Sequence, residues 1–167
     1  MIKNLVWASV FALIASLLQS TVLSHISIYR AVPDLALGVI VFSAYVNGSM
    51  TGQLSGFFSG IFSDFLSAAP LGLNSLIRVL IGALTGLLKG SFFQDFLFLP
   101  MALCAAATLL KAIIVLLLHL VFSDSVPAYS FTSPTLWVEL ALNAVTAPFL
   151  FALLKRFKGL LTERSGN

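Results

Sequence analysis

Four charged residues, Asp64, Arg78, Lys111 and Glu139, stand inside otherwise apolar stretches of this chain. A carboxylate so placed can act as acid or base, carry a proton or an ion, or hold a neighbouring cation. Here each acid has a basic residue to pair with, Asp64 with Arg78 and Glu139 with Lys111, which argues against a poised acid or base. His25 and His119 are not in His-Glu-x-x-His or any other metal-ligand spacing. The sequence has no Gly-x-Ser-x-Gly elbow and no glycine-rich phosphate loop. The lone Cys104 excludes an intramolecular disulfide and a Cys-rich metal site, which leaves it a packing role. The residues therefore point to no catalytic site, no metal and no cofactor, and the chain reads as a non-enzyme.

The spacing around the first pair carries more. Gly52, Gly56, Gly60 and Asp64 follow one another at intervals of four, and so do Arg78, Gly82, Gly86 and Gly90. That interval keeps each set on one helix face. Two antiparallel helices joined by a short turn would then meet along bare backbone, with Asp64 level with Arg78, Gly60 with Gly82, Gly56 with Gly86 and Gly52 with Gly90. Lipid supplies no hydrophobic drive between helices, so small residues create the contact by letting backbones approach. A lone charge at the membrane centre costs roughly 2.5–3.5 kcal/mol on insertion scales, which pairing would offset. Arg30 and Asp34 are expected at the same outer level, extending the pair to a cluster of four. The stripes serve packing alone or present a partner-binding or switching surface. Lys111 and Glu139 form the second pair, either an interior tie between adjacent helices or a functional mark. Asn143 and Pro148 are expected to supply an interhelical hydrogen bond and a mild kink. Asp34, after Pro33, also suits a helix N-terminus.

The elements that must position these residues follow from composition. Of 167 residues 59% are hydrophobic and only 9% charged, against about a quarter charged in soluble domains. The apolar residues form long blocks, the pattern of a chain solvated by lipid. Six spans are predicted, at 4–23, 33–47, 52–67, 74–90, 98–121 and 134–154, in one all-α transmembrane domain covering 1–167. The second and third are short against a hydrocarbon core of ~30 Å; a re-entrant hairpin with five full spans is the alternative. Asn47-Gly48-Ser49 marks the turn between them. The N-terminal stretch reads as an uncleaved first helix, since no clear small-x-small site follows it.

Orientation comes from the basic residues. With the N-terminus inside, Lys3, Lys89, Lys155, Arg156, Lys158 and Arg164 are cytoplasmic, and of the loop cations Arg30 alone is outside. Both termini are then cytoplasmic. Trp7, Tyr29, Tyr129 and Trp137 fall near the interfaces, and 91–98 reads as an interfacial segment or a docking surface. The net charge of +3 is concentrated in the C-terminal tail, which speaks for a membrane protein and against nucleic acid.

The order of Pro33-Asp34-Leu35, Gly52, Gly56-Phe57, Gly60, Asp64, Pro70-Leu71-Gly72-Leu73-Asn74, and a helix bearing Gly82 and Gly86 resembles the bacterial rod shape-determining MreD family. Length, span count and basic tail agree. The resemblance is specific over about 30–90; its signature positions correspond to Pro33, Asp34, Gly56, Gly60, Asp64, Leu71 and Gly72. It implies a non-enzymatic subunit of the cell-elongation machinery in the bacterial cytoplasmic membrane. The implied partners are MreC, a single-pass protein with an extracytoplasmic coiled coil, and with it the RodA glycan polymerase, a penicillin-binding transpeptidase and MreB filaments.

The competing reading is the substrate-binding subunit of an energy-coupling-factor vitamin transporter, also a small six-helix protein. Ala8-x-x-x-Ala12 looks like the small-residue docking motif of such subunits. A vitamin site, however, needs convergent polar and aromatic groups, and the last two helices offer few besides Asn143, Glu139 and Trp137. An ion or proton carrier built on Lys111 and Glu139 is the third reading.

Overall fold

The computed structural model describes residues 2–26, 31–67, 70–90, 97–123, 126 and 131–161. The described residues are helical, without strands. α1 runs Ile2–Thr21, α2 Leu35–Asn47, α3 Ser49–Leu66, α4 Leu73–Leu87, α5 Phe98–Val121, α6 Pro134–Arg156 and α7 Lys158–Leu161; a 3₁₀ turn, Leu23–Ile26, follows α1. α1, α5 and α6 are long and apolar enough to cross a membrane. Arg30, Tyr29, Tyr129, Arg164 and most of the 91–98 segment lie outside the described residues.

α2 explains how a helix of 13 residues, only ~20 Å long at 1.5 Å per residue, fits among longer ones. Every residue from Ala36 to Tyr45 is buried, and the helix touches α1, α3, α4, α5 and α6. It is apolar all round because protein surrounds it on all sides. A helix walled in this way need not reach the lipid headgroups, provided its ends are satisfied. Asp34 caps the start, its carboxylate accepting from Leu37 N at 3.1 Å. Gly48, at φ +102°, makes the whole connection to α3. Its left-handed φ suits glycine. Beside it, Asn47 Nδ2 donates to Leu161 O at 2.7 Å and Lys89 Nζ donates to Asn47 O at 3.0 Å. These two bonds tie α7 and the end of α4 to the same corner.

The outward faces are as apolar as the core. Phe65, Leu120 and Phe149 are about three-quarters exposed (74%, 73% and 76%), a cost in water that lipid removes. By contrast Ala8 and Ala12 are fully buried, so the Ala-x-x-x-Ala motif is spent inside the bundle.

Candidate functional site

α3 and α4 approach each other backbone to backbone along their glycines. A Cβ on Gly56 would stand 2.6 Å from Arg78 O, and one on Gly52 2.6 Å from Gly82 O. Cβ atoms on Gly60, Gly82 and Gly86 would strike the backbones of Ser75, Gly52 and Ser49. Hydroxyls cross the seam directly: Ser49 Oγ donates to Ala83 O at 2.8 Å and Ser75 Oγ to Phe57 O at 3.3 Å. Side chain to backbone bonds of this kind need the bare surface that glycine leaves.

The register differs from the one the glycine spacing suggested. Gly52 meets Gly82 instead of Gly90, and Gly56 meets Arg78 instead of Gly86. The seam is displaced by eight residues of α4, about two turns. Gly90 takes no part in it: it lies beyond α4 at φ +71°, with nothing near the position of a Cβ.

The cause is the way Asp64 is satisfied. Asp64 and Arg78 do not pair. Instead the Asp64 carboxylate accepts from Gly72 N, Asn74 N and Asn74 Nδ2, each at 2.9 Å, and from Ser75 N at 3.4 Å. These donors open α4. Gly72, the residue at the cap with φ +95°, has no side chain to hold them. A helix N-terminus leaves its first amide hydrogens unpaired and carries partial positive charge, so a buried carboxylate is well placed there. Drawing the start of α4 onto Asp64 slides Arg78 past it.

Arg78 therefore turns to other partners. Its Nη1 donates to Ser63 Oγ at 2.7 Å, Ser59 O at 2.9 Å and Ser16 Oγ at 3.3 Å, and its Nη2 stands 3.6 Å from Asp34 Oδ1. Asp34 is the hub. Lys111 Nζ donates to Asp34 Oδ2 at 3.0 Å and to Glu139 Oε1 at 2.7 Å. Asn143 Oδ1 accepts from Asp34 N at 2.7 Å, while Asn143 Nδ2 donates to Thr108 Oγ1 at 2.8 Å. One connected network thus takes a group from each of α1 to α6: Ser16, the Asp34 cap of α2, Ser59 and Ser63, Arg78, Thr108 and Lys111, and Glu139 and Asn143. Its two acids and two bases cancel. Asp34, Arg78 and Glu139 are all buried. Each charge faces an opposite one, which is what makes burial in lipid tolerable.

Several of these partners had gone unread in the sequence. Thr51, Ser55, Ser59 and Ser63 repeat at four-residue intervals beside the glycine stripe, and that hydroxyl row was the legible signal for the acceptors of Arg78. The sequence groups Asp34 with Arg78 and Arg30; the structure joins it to Lys111 as well. Of the motif positions, Leu71 is exposed, while Gly72 and Asp34 cap α4 and α2; Pro33 directly precedes the Asp34 cap. Among the described residues no group of His, Cys, Asp and Glu could hold a metal ion. Cys104 is buried and free. His25 and His119 bond to the backbone oxygens of Thr21 and Val126.

A family model for the rod shape-determining protein MreD matches residues 1–157 of the chain. No curated protein matches it, and no solved structure does. A match over nearly the whole length places this chain in the MreD family: it is a membrane protein of a family that determines rod cell shape.

Proposed function

Proceeding from that membership, we propose that the chain is a non-enzymatic scaffold of the bacterial cell-elongation complex. It would sit in the cytoplasmic membrane as one bundle of six spanning helices, with both termini in the cytoplasm. Its partner would be an MreC-like single-pass protein, and through it the RodA-type polymerase, the penicillin-binding transpeptidase and MreB filaments. The family match over residues 1–157 is the observation that carries this reading. The interior chemistry supports it. Asp34 holds Arg78 and Lys111, Glu139 holds Lys111, and Asp64 holds the start of α4. Charges engaged in this way fix helices in place and hold Asp34, Asp64 and Glu139 to partners of their own. The basic residues at one end of the bundle, among them Lys3, Lys89 and Lys155, support the orientation.

Co-purification from native membrane tests the proposal. Recovery of a single-pass coiled-coil protein together with cell-wall synthases is the expected result. Recovery of a transporter ATPase module, or of a vitamin in the mass spectrum, would replace it with the transporter reading. Burial of Ala8 and Ala12 leaves that reading without an outward docking motif on the first helix.

A further inference from the structure

Beside the Arg78–Asp34–Lys111 run lies a cleft of about 270 Å³, walled by residues that include Gln19, Ser16, Ser63 and Asn74. It sits where α1 and α3 end and α4 begins. That volume is close to the lower end of ligand pockets, ~300 Å³. Its walls carry hydrogen-bonding groups that the protein leaves unmatched. The Gln19 amide makes no hydrogen bond among the described residues, and its Oε1 is buried. Asn74 spends Nδ2 on Asp64, and its Oδ1 accepts nothing from the described residues. Arg78, one turn further along α4 and also lining the cleft, places all its hydrogen bonds through Nη1. Its Nη2 stands 3.6 Å from Asp34, beyond hydrogen-bond length.

The lining thus offers the carbonyl oxygens of Gln19 and Asn74, which lack a donor among the described residues, and Arg78 Nη2, which has no hydrogen-bond acceptor among them. Gln19 Oε1 is buried without a donor, which is costly, so the cleft favours an occupant that donates to it and can accept from Arg78. A hydroxyl does so, since it donates once and accepts twice. Net charge among the described residues favours a neutral occupant over an anion: Arg78 and Lys111 are already balanced there by Asp34 and Glu139.

We propose that this cleft binds a neutral, hydroxyl-rich group the size of one sugar ring, either as a free molecule or as a lipid headgroup. Gln19 and Asn74 accept from its hydroxyls while Arg78 donates to them. The inference is independent of the scaffold reading.

The test is thermal unfolding of the full chain in phosphatidylcholine nanodiscs, titrated with glucose, or with octyl glucoside or octyl phosphate below their micelle-forming concentrations. A saturable rise in the unfolding midpoint with octyl glucoside is expected. In Gln19→Leu the apparent affinity should fall at least tenfold while the unliganded midpoint holds or rises, because the Gln19 amide bonds to nothing in the described fold and its Oε1 is buried without a donor. Gln19→Ala serves as the second variant if leucine does not fold. A matching response to glucose supports the proposal and makes the ligand a soluble one; a response to octyl glucoside alone supports it and makes the ligand a headgroup. The proposal fails if neither sugar gives a saturable response, or if Gln19→Leu responds like the unaltered chain. It also fails if octyl phosphate binds more tightly, or if a map of the sugar-soaked protein shows only ordered water in the cleft.

Discussion

Replacing Gly56 with alanine would put a methyl group 2.6 Å from Arg78 O and 2.8 Å from Arg78 C. Both are backbone atoms of α4, so no side-chain rotation relieves the contact. Ordinary contact begins at 3.4 Å. The helices must therefore part locally by about 0.8 Å, a gap that forfeits a quarter to a half of each dispersion contact it opens. Overpacking of this kind costs about 1–3 kcal/mol. Against it stands the helix propensity of alanine over glycine, up to ~1 kcal/mol. The net expectation is a loss of about 0–2 kcal/mol from those two terms. Gly159→Ala is the matched control: it lies in α7 with nothing within 4 Å of its Cβ position, so it feels the propensity gain alone. Denaturant unfolding in mixed micelles, followed by circular dichroism, measures both variants. The sign is decisive. A Gly56→Ala variant stabilised to the same degree as Gly159→Ala would refute the close approach of α3 and α4.

Three further expectations come from the polar groups. In a double-mutant cycle, Asp34→Asn and Lys111→Met should couple by about 1–3 kcal/mol; simple additivity in the unfolding free energies would contradict the ion pair. Asp64→Ala should cost about 1–2 kcal/mol through loss of the α4 cap, and combined with Arg78→Met its effect should add with only weak coupling, since the two charges make no salt bridge. A coupling well above ~0.5 kcal/mol there would show that the two charges pair after all. Asn143→Leu, which orphans Asp34 N–H, should cost about 1–3 kcal/mol, and a neutral change on the same unfolding assay would remove Asn143 from the network.

Hydropathy made the helices legible and left their arrangement hidden. The predicted 98–121 and 134–154 segments answer to α5 and α6, whose apolar runs leave little choice of end. The turn at Gly48 was equally readable, since Asn47-Gly48-Ser49 interrupts an apolar block. The register of α3 against α4 was not. Glycine spacing fixes which face meets the neighbour, yet a four-residue repeat looks the same after each slide of four. Only the need of Gly72, Asn74 and Ser75 for an acceptor, met by Asp64 from the preceding helix, selects one of those positions. The centrality of α2 was hidden for a similar reason. A short apolar segment reads as a marginal span until the helices that surround it are known, and with α2 at the centre Asp34 reaches both Arg78 and Lys111.

A cryo-electron microscopy map of the protein in lipid nanodiscs tests the charge network most directly. The account predicts Lys111 between the carboxylates of Asp34 and Glu139, with the Arg78 guanidinium on Asp34 and Ser63 and the Asp64 carboxylate on the first turn of α4. A map with Arg78 seated on Asp64, or with either cation turned out to lipid, would contradict it.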